Sequence, residues 1–506
     1  MKLFAYAHEG FSGSIVTIEV DLRAGIPGTD IVGLPGAAIR EARERVRASI
    51  RNSGYQYPRD RVLVNLGPAD VPKTGSAFDL GIAFAILLCS AQIPHACIDA
   101  ERVLVLGELG LDGRVRPVRG VIAAVLDAHA SGITHVVVAA ENASEASAVS
   151  GVQVHAVQRL VDLEHLRPIQ TPPSEPRSSK GTEKSPFHDV IGQSRAKRAA
   201  LIAAVGGHHL LLAGPPGSGK TMIARRLPAL LPDLDDPIAS EATRVHSLSG
   251  LLEPDQGLIR RPPFRSPHHS AGPAGVIGGG RGTSPGDISL AHGGVLFLDE
   301  APEFRPGVLQ ALREPLEDGV IRLSRAGRQY TYPARIQLVI AANLCPCGLF
   351  GKGSGHCTCS IQEIQRYWKR IGGALMDRID IRVPVTSFQG LAHESGLSAS
   401  DDSDAYTPQR VRESRRRLSV LYGRAGSRDI RRFMSADSLS IFREAVTHMR
   451  LSHRAGESIL RVARTISAVD DSPRIDEAHV LEAVQHRRMG ESESVWQDWI
   501  SCIETV

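Results

Sequence analysis

Three short apolar runs in the middle of the chain each end on glycine or polar residues. Leu210-Leu211-Leu212-Ala213 runs into a glycine-rich octapeptide, Gly294-Val295-Leu296-Phe297-Leu298 into Asp299-Glu300, and Ile336-Gln337-Leu338-Val339-Ile340-Ala341-Ala342 into Asn343. Apolar runs of this length predict buried strands. The first is followed by a helical stretch, Met222 to Leu227, as in an α/β core. Toward the C-terminus the pattern becomes amphipathic over Ser435–Met449, Arg454–Val469 and Ile475–Arg488, which predicts helices. Asp476 followed at once by Glu477 supplies a charged first turn for the last of them.

The pattern lapses twice. Residues 168–186 are rich in Pro, Ser, Lys and Glu and hold one large apolar residue, Ile169. Such a segment buries too little surface to offset its ordering entropy, which predicts a flexible linker. The stretch His393 to Tyr406 is small and polar around Leu397 and reads as a surface insertion. The expected domains are therefore 1–167, a linker 168–186, a core 187–390, a connecting segment 391–428 and a helical region 429–506.

Composition narrows the class. Of 506 residues, 42% are apolar and 23% charged, as in an ordinary globular protein of about three domains. The first nine residues lack the apolar core of a signal peptide, and no apolar stretch approaches a membrane span, so a cytoplasmic protein without membrane contact is expected. A net charge of +4 neither requires nor excludes nucleic acid. Four of the seven cysteines cluster at Cys345-Pro346-Cys347 and Cys357-Thr358-Cys359. Two such pairs nine residues apart point to a reducing compartment and a tetrahedral Zn²⁺, with His356 as an alternative ligand and free or reversibly oxidised thiols as the other reading.

The octapeptide Gly214-Pro215-Pro216-Gly217-Ser218-Gly219-Lys220-Thr221 is a complete P-loop in the strand–loop–helix setting that the motif needs. Its glycines let successive N–H groups face phosphates, Lys220 reaches the phosphate oxygens, and Thr221 ligates Mg²⁺. Asp299 and Glu300, at the end of a second apolar strand, form a Walker B pair: Asp299 for Mg²⁺ and Glu300 to polarise the attacking water. Asn343 at the third strand end could orient that water, or serve as a turn former. These residues alone predict an ATP- and Mg²⁺-binding ATPase.

The order of these motifs resembles the AAA+ ATPases, with Phe187–Gln193 as the segment beside the nucleotide base and Asn343 at sensor 1. His292–Phe304, Pro267-His268-His269-Ser270, Ala342–Gly348 and Leu375-Met376-Asp377-Arg378-Ile379-Asp380 resemble the magnesium-chelatase-like branch. With the N-terminal segment, they match the ComM/YifB family over essentially the whole chain, apart from Leu344, where many relatives have proline, and the 393–406 stretch. The resemblance implies that Arg378 is an arginine finger acting on a neighbouring subunit and Arg454 the sensor-2 residue, with Arg461 a weaker candidate. It further implies an insertion around Phe264–Ser289 within a helix and a basic β-hairpin over Gly319–Pro333.

Val62–Leu80 and Gly107–Gly120 resemble the proteolytic domain of the Lon family, an α+β fold of the ribosomal S5 domain 2 type. The nucleophile position there is Ala77, with Ser76 one residue early, and the lysine position is Ile122, so protease chemistry is not expected. The implied architecture is this α+β domain, an AAA+ α/β core and a helical lid. The implied function is a homo-hexameric motor on single-stranded and branched DNA, driving branch migration during recombination and natural transformation. Arg410, Arg412, Arg415, Arg416 and Arg417 fit phosphate contacts or a solvated helix face equally. The competing readings are a chelatase-type remodeller of a protein or metal–porphyrin system, and an ATP-dependent protease, which the missing serine–lysine pair disfavours.

Overall fold

The computed structural model describes residues 1–98, 101–169, 185–253, 256–280, 284–325, 328–350, 357–386, 405–423 and 427–489. Most of the expected linker and of the 393–406 insertion lie outside these residues. Among the described residues, no helix is long and apolar enough to cross a membrane.

The N-terminal part is built on β1 (Lys2–Glu9), β2 (Ser12–Arg23), β3 (Gly28–Val32), β4 (Arg61–Gly67), β5 (Arg102–Leu106), a ribbon of β6 (Glu108–Leu109) and β7 (Val115–Arg116), then β8 (His135–Ala139) and β9 (Gln153–Val157). Apart from the ribbon these strands form one seven-stranded sheet in the order β3-β4-β2-β1-β5-β8-β9. The pairs β1–β2 and β2–β4 are antiparallel, and β3–β4, β1–β5, β5–β8 and β8–β9 are parallel. Strand alternation sorts β1 between two cores. Leu3, Ala5 and Ala7 join the core that holds α1 (Ala37–Asn52) and α2 (Asp79–Cys89). Phe4 and Tyr6 join the core of α3 (Val121–Ala130) and α4 (Ala143–Ser147).

The core domain begins with α5 (Ser194–Gly206), β10 (Leu210–Ala213), α6 (Lys220–Leu230) and α7 (Asp236–Leu248). There follow β11 (Phe264–Arg265), the ribbon β12 (Gly278–Gly279) and β13 (Ser284–Pro285), β14 (Val295–Leu298), the hairpin β15 (Val320–Arg325) and β16 (Arg328–Pro333), β17 (Gln337–Ala342) and β18 (Ile381–Pro384). A five-stranded parallel sheet runs β11-β14-β17-β10-β18. Leu210 and Leu212 face one core, shared with α5 and the C-terminal helices, and Leu211 and Ala213 face the other. Those helices are Ala436–His448, His453–Val469 and Glu477–Arg488, the first two capped by Ser435 and Ser452, whose hydroxyls accept from Ser438 N and Ala455 N.

The segment Phe264–Ser289, where an insertion within a helix is expected, carries the β12–β13 ribbon between the helical turns Pro273–Val276 and Asp287–Leu290. It opens with β11, the edge strand beside β14.

The N-terminal domain docks on α7 and on the hairpin. Gly120, at φ 75°, starts α3. Its N–H donates to Ser247 Oγ at 2.8 Å, and a Cβ there would strike the His8 ring. Ser247 in turn donates to Glu145, which also accepts from Ile122 N at 2.8 Å. Arg244 pairs with Asp127 at 3.0 Å and lies over the Phe11 ring. Glu9 pairs with Arg328 of the hairpin at 2.9 Å, while Phe11 meets Tyr332 edge-on. Arg244 is 12% exposed, so its loss strands a half-buried carboxylate. Arg244→Ala should weaken this contact by about 1–2 kcal/mol. Hydrogen exchange at the Gly120 and Ile122 amides should then quicken roughly tenfold; unchanged exchange would refute the assignment.

Candidate ATPase site and its arginine partners

The P-loop sits where β10 gives way to α6. Gly217 and Gly219 take φ of 78° and 92°, left-handed values that L side chains resist. A Cβ at Gly214 would run into the Val385 carbonyl, so the loop must be glycine there. Gln193 ties the loop to the end of β18, donating to Ser218 O at 3.1 Å and Thr386 O at 2.8 Å.

Parallel pairing of β10, β14 and β17 brings the separate motifs to one edge of the sheet. Lys220 is buried, and its Nζ donates to Gly214 O and Pro215 O, each at 2.8 Å, and to Asn343 Oδ1 at 3.2 Å. Burial lowers its pKa to about 8, against the pull of Asp299 and Glu300. Thr221 Oγ1 donates to Asp299 Oδ2 at 2.9 Å, so the two expected Mg²⁺ ligands already face each other. Glu300, at φ 51°, keeps its side chain half exposed, with Oε2 3.7 Å from His269 Nδ1. The site fits a bound triphosphate on its own terms: Ser218 Oγ is buried without a hydrogen-bond partner, and Lys220 is held by backbone carbonyls.

Arg378 and Arg454 lie elsewhere. Ile381 is the first residue of β18 and pairs with Leu210, the first of β10, whereas the P-loop follows the last, Ala213. Arg378 thus precedes the sheet at the edge opposite the P-loop, about 13 Å of strand away. Arg378 and Arg454 both donate to Glu317, Arg454 at 2.9 Å. The Arg454 hydrogen bond, with help from Arg378, holds the Glu317 carboxyl below its ordinary range. Arg461 binds Asp380 Oδ1 at 2.9 Å. Burial would raise the Asp380 carboxyl, yet His208, Arg461 and Ser458 hold it far below the usual value.

The hairpin arginines have internal partners: Arg322 binds Glu314 and Asp318, each at 2.7 Å, Arg325 donates to Gly280 O, and Arg328 meets Glu9. In the basic stretch, Arg415 donates to Ala204 O at 2.6 Å, Arg410 to Ala405 O, and Arg417 pairs with Asp471. Those three side chains serve packing of the helix Pro408–Tyr422 rather than a free basic face.

Sulfurs of Cys345, Cys347, Cys357 and Cys359 lie within 4.8 Å of one another. The Cys345–Cys347 separation is 3.3 Å, and Cys357 is 3.6 Å from each. Four thiolates around Zn²⁺ at 2.3 Å stand about 3.8 Å apart, so the set fits that ion. The Leu349 N–H pulls the Cys347 thiol down to about 7. His356 lies outside the described residues.

Sequence reasoning gave no role to Glu317 or His269. Their spacing from the motifs carries no signal; only the folded sheet brings Glu317 to Arg378 and His269 to Glu300. In the N-terminal domain Ile122 is fully buried, and Ser76 donates to Glu108.

Residues 186–392 match the family described as magnesium chelatase, subunit ChlI; residues 18–142 match subunit ChlI of Mg-chelatase, and 403–487 its C-terminal part. The uncharacterized protein YifB of Escherichia coli is 40% identical, covering 94% of this chain and 95% of that protein. Competence protein ComM of Haemophilus influenzae is 38% identical, covering 96% and 97%. Lon protease 2 of Bacillus subtilis is 33% identical over 33% of this chain and 31% of its own. Such identity over nearly the full length, with the P-loop, Walker B pair and five-stranded parallel sheet in place, settles the family: the chain belongs to the ComM/YifB group of magnesium-chelatase-like AAA+ ATPases.

Proposed function

We propose that this chain is an ATP-driven DNA motor that works as a ring, a homo-hexamer, and promotes branch migration on single-stranded and branched DNA during recombination in natural transformation. The observation that carries this reading is the opposition of Arg378 and the P-loop across the sheet. A guanidinium at that edge cannot reach its own subunit's ATP, so turnover requires a neighbour to supply it. Closed repetition of one such head-to-tail contact yields a ring. Arg454, sharing Glu317 with Arg378, acts on the same neighbouring site. Support for DNA comes from the name of the 38% identical competence protein and from the arginines of β15–β16. Arg322, half exposed between Glu314 and Asp318, would exchange those carboxylates for phosphates.

Within one subunit, P-loop N–H groups and Lys220 bind the phosphates, Asn343 and Glu300 orient and deprotonate the attacking water, and Arg378 of the next subunit meets charge developing on the γ-phosphate. Thr221 and Asp299 would hold Mg²⁺, which supplies further charge neutralisation across the phosphates. The N-terminal domain does no proteolysis: Ala77 has no nucleophile and Ile122 no base. Its use is to hold α7 and the hairpin, through Glu145, Asp127 and Glu9.

Zn²⁺ at the four cysteines would clip the loop after Asn343. Purified protein should carry about one zinc per chain by elemental analysis. Cys357→Ser/Cys359→Ser should carry none; zinc at the wild-type level in that variant would refute the site.

A fluorescently labelled three-strand branched substrate tests the motor directly. ATP should drive conversion to the migrated product, and a non-hydrolysable analogue should not. Failure on every branched substrate, with ATP still being hydrolysed, would discard the DNA reading. A chelatase-type remodeller, which the family descriptions favour, would then take its place.

A further inference from the structure

Glu317 lies in the short helix Arg313–Asp318, one turn before the hairpin β15–β16. Its carboxylate accepts from Arg378 and, at 2.9 Å, from Arg454. These arginines come from places far apart in the sequence: the segment before β18, and the first turn of the lid helix His453–Val469. A single carboxylate is therefore the point where core and lid arginines converge. Two cations this close would repel one another without it.

Arg378 is also left with unused donor capacity. It is 10% exposed, donates to Ala374 O and Glu317, and keeps a buried Nε without a partner. Arg454 is 42% exposed and retains free access to solvent on that edge. A planar guanidinium held on one side by a carboxylate presents its remaining N–H groups in a fixed direction, which suits a phosphate oxygen.

The same helical turn carries two more carboxylates. Glu314 and Asp318 grip Arg322 of the hairpin, each at 2.7 Å. Thus one turn of backbone holds both the arginine pair and the first strand of the hairpin.

We infer that Glu317 is a positioning residue: it aligns Arg378 and Arg454 as a pair, directed at the ATP of the neighbouring subunit. This rests on the assignment of Arg378 to a neighbour's site. Glu317 itself touches no nucleotide; it acts through the two arginines. Misplacing a charge-stabilising group by about 1 Å costs roughly a hundredfold in rate, which sets the scale of its effect.

The test is steady-state ATP hydrolysis by the full chain, without DNA, at protein concentrations where turnover per subunit has reached its plateau. Arg378→Ala serves as the reference. Glu317→Ala should lower kcat about a hundredfold and Glu317→Gln about tenfold, with the affinity for a fluorescent ATP analogue unchanged. Glu317→Asp should recover part of the loss, because the charge returns one methylene short. Combining Glu317→Gln with Arg454→Ala should cost no more than the larger single loss, since both act through one constellation. An unchanged kcat in Glu317→Gln, beside an impaired Arg378→Ala, would overturn the inference and leave the neighbour-site reading standing. So would losses that multiply in the double variant. A fully active Arg378→Ala would instead remove the neighbour-site reading, and this inference with it.

Discussion

Replacing Arg378 with alanine is expected to lower ATP turnover about a thousandfold while leaving nucleotide binding in place. The size follows from what a trans-acting guanidinium does: it stabilises charge that appears only in the transition state, so its loss falls on kcat. The geometry adds a more specific expectation. Arg378 precedes β18 and the P-loop follows β10, so in the proposed ring the two would serve different ATP sites. Mixing Arg378→Ala with Lys220→Ala should therefore restore activity. A mixed ring contains interfaces where an intact P-loop meets an intact Arg378. Restoration should peak near equal proportions and be absent from either variant alone. Independent, additive behaviour of the two proteins would contradict this arrangement.

The second large effect is at Lys220. Lys220→Ala should abolish measurable ATP hydrolysis, because the lysine is the one buried cation among the phosphate-facing groups of the loop. Its burial also makes ATP affinity depend on pH. Without nucleotide, Lys220 titrates near 8, lowered by desolvation. A bound triphosphate favours the charged form and raises that pKa, so affinity must fall as pH climbs through about 8. Below pH 7 the lysine is charged in both states and this dependence vanishes. Equilibrium binding of a fluorescent ATP analogue between pH 6.5 and 9.5 should show affinity dropping toward tenfold per pH unit above 8. A flat profile across that range would mean that the lysine stays charged throughout.

Much of the ATPase site was legible because its parts are local. The apolar runs before Gly214, Asp299 and Asn343 each encode a buried strand with a functional end, and parallel pairing brings those ends together. The amphipathic stretches Ser435–Met449, Arg454–Val469 and Ile475–Arg488 likewise mark the last three helices to within a few residues, because their pattern needs no tertiary context. Other features depend on long-range contact. Glu317 meets Arg454 across 137 positions, and nothing in its surroundings in the sequence distinguishes it from Glu314. The same limit explains the basic stretch at 410–417. Charge alone suggested either phosphate contacts or a solvated face, whereas Arg415 turns inward to the Ala204 carbonyl. The front bound of the Phe264–Ser289 segment takes in β11, a strand two residues long and too short to show alternation. The docking of α3 against α7 was invisible for a related reason: Gly120, Ser247 and Glu145 are unremarkable singly and meaningful only as a cluster.

The most direct test of the account is ATP hydrolysis by the purified chain with and without single-stranded and branched DNA, beside Lys220→Ala. The account predicts that DNA, above all branched DNA, stimulates hydrolysis several-fold and that Lys220→Ala abolishes both basal and stimulated rates. Hydrolysis that depends on Lys220 but ignores DNA of every form would contradict the DNA motor and leave an ATPase acting on another substrate.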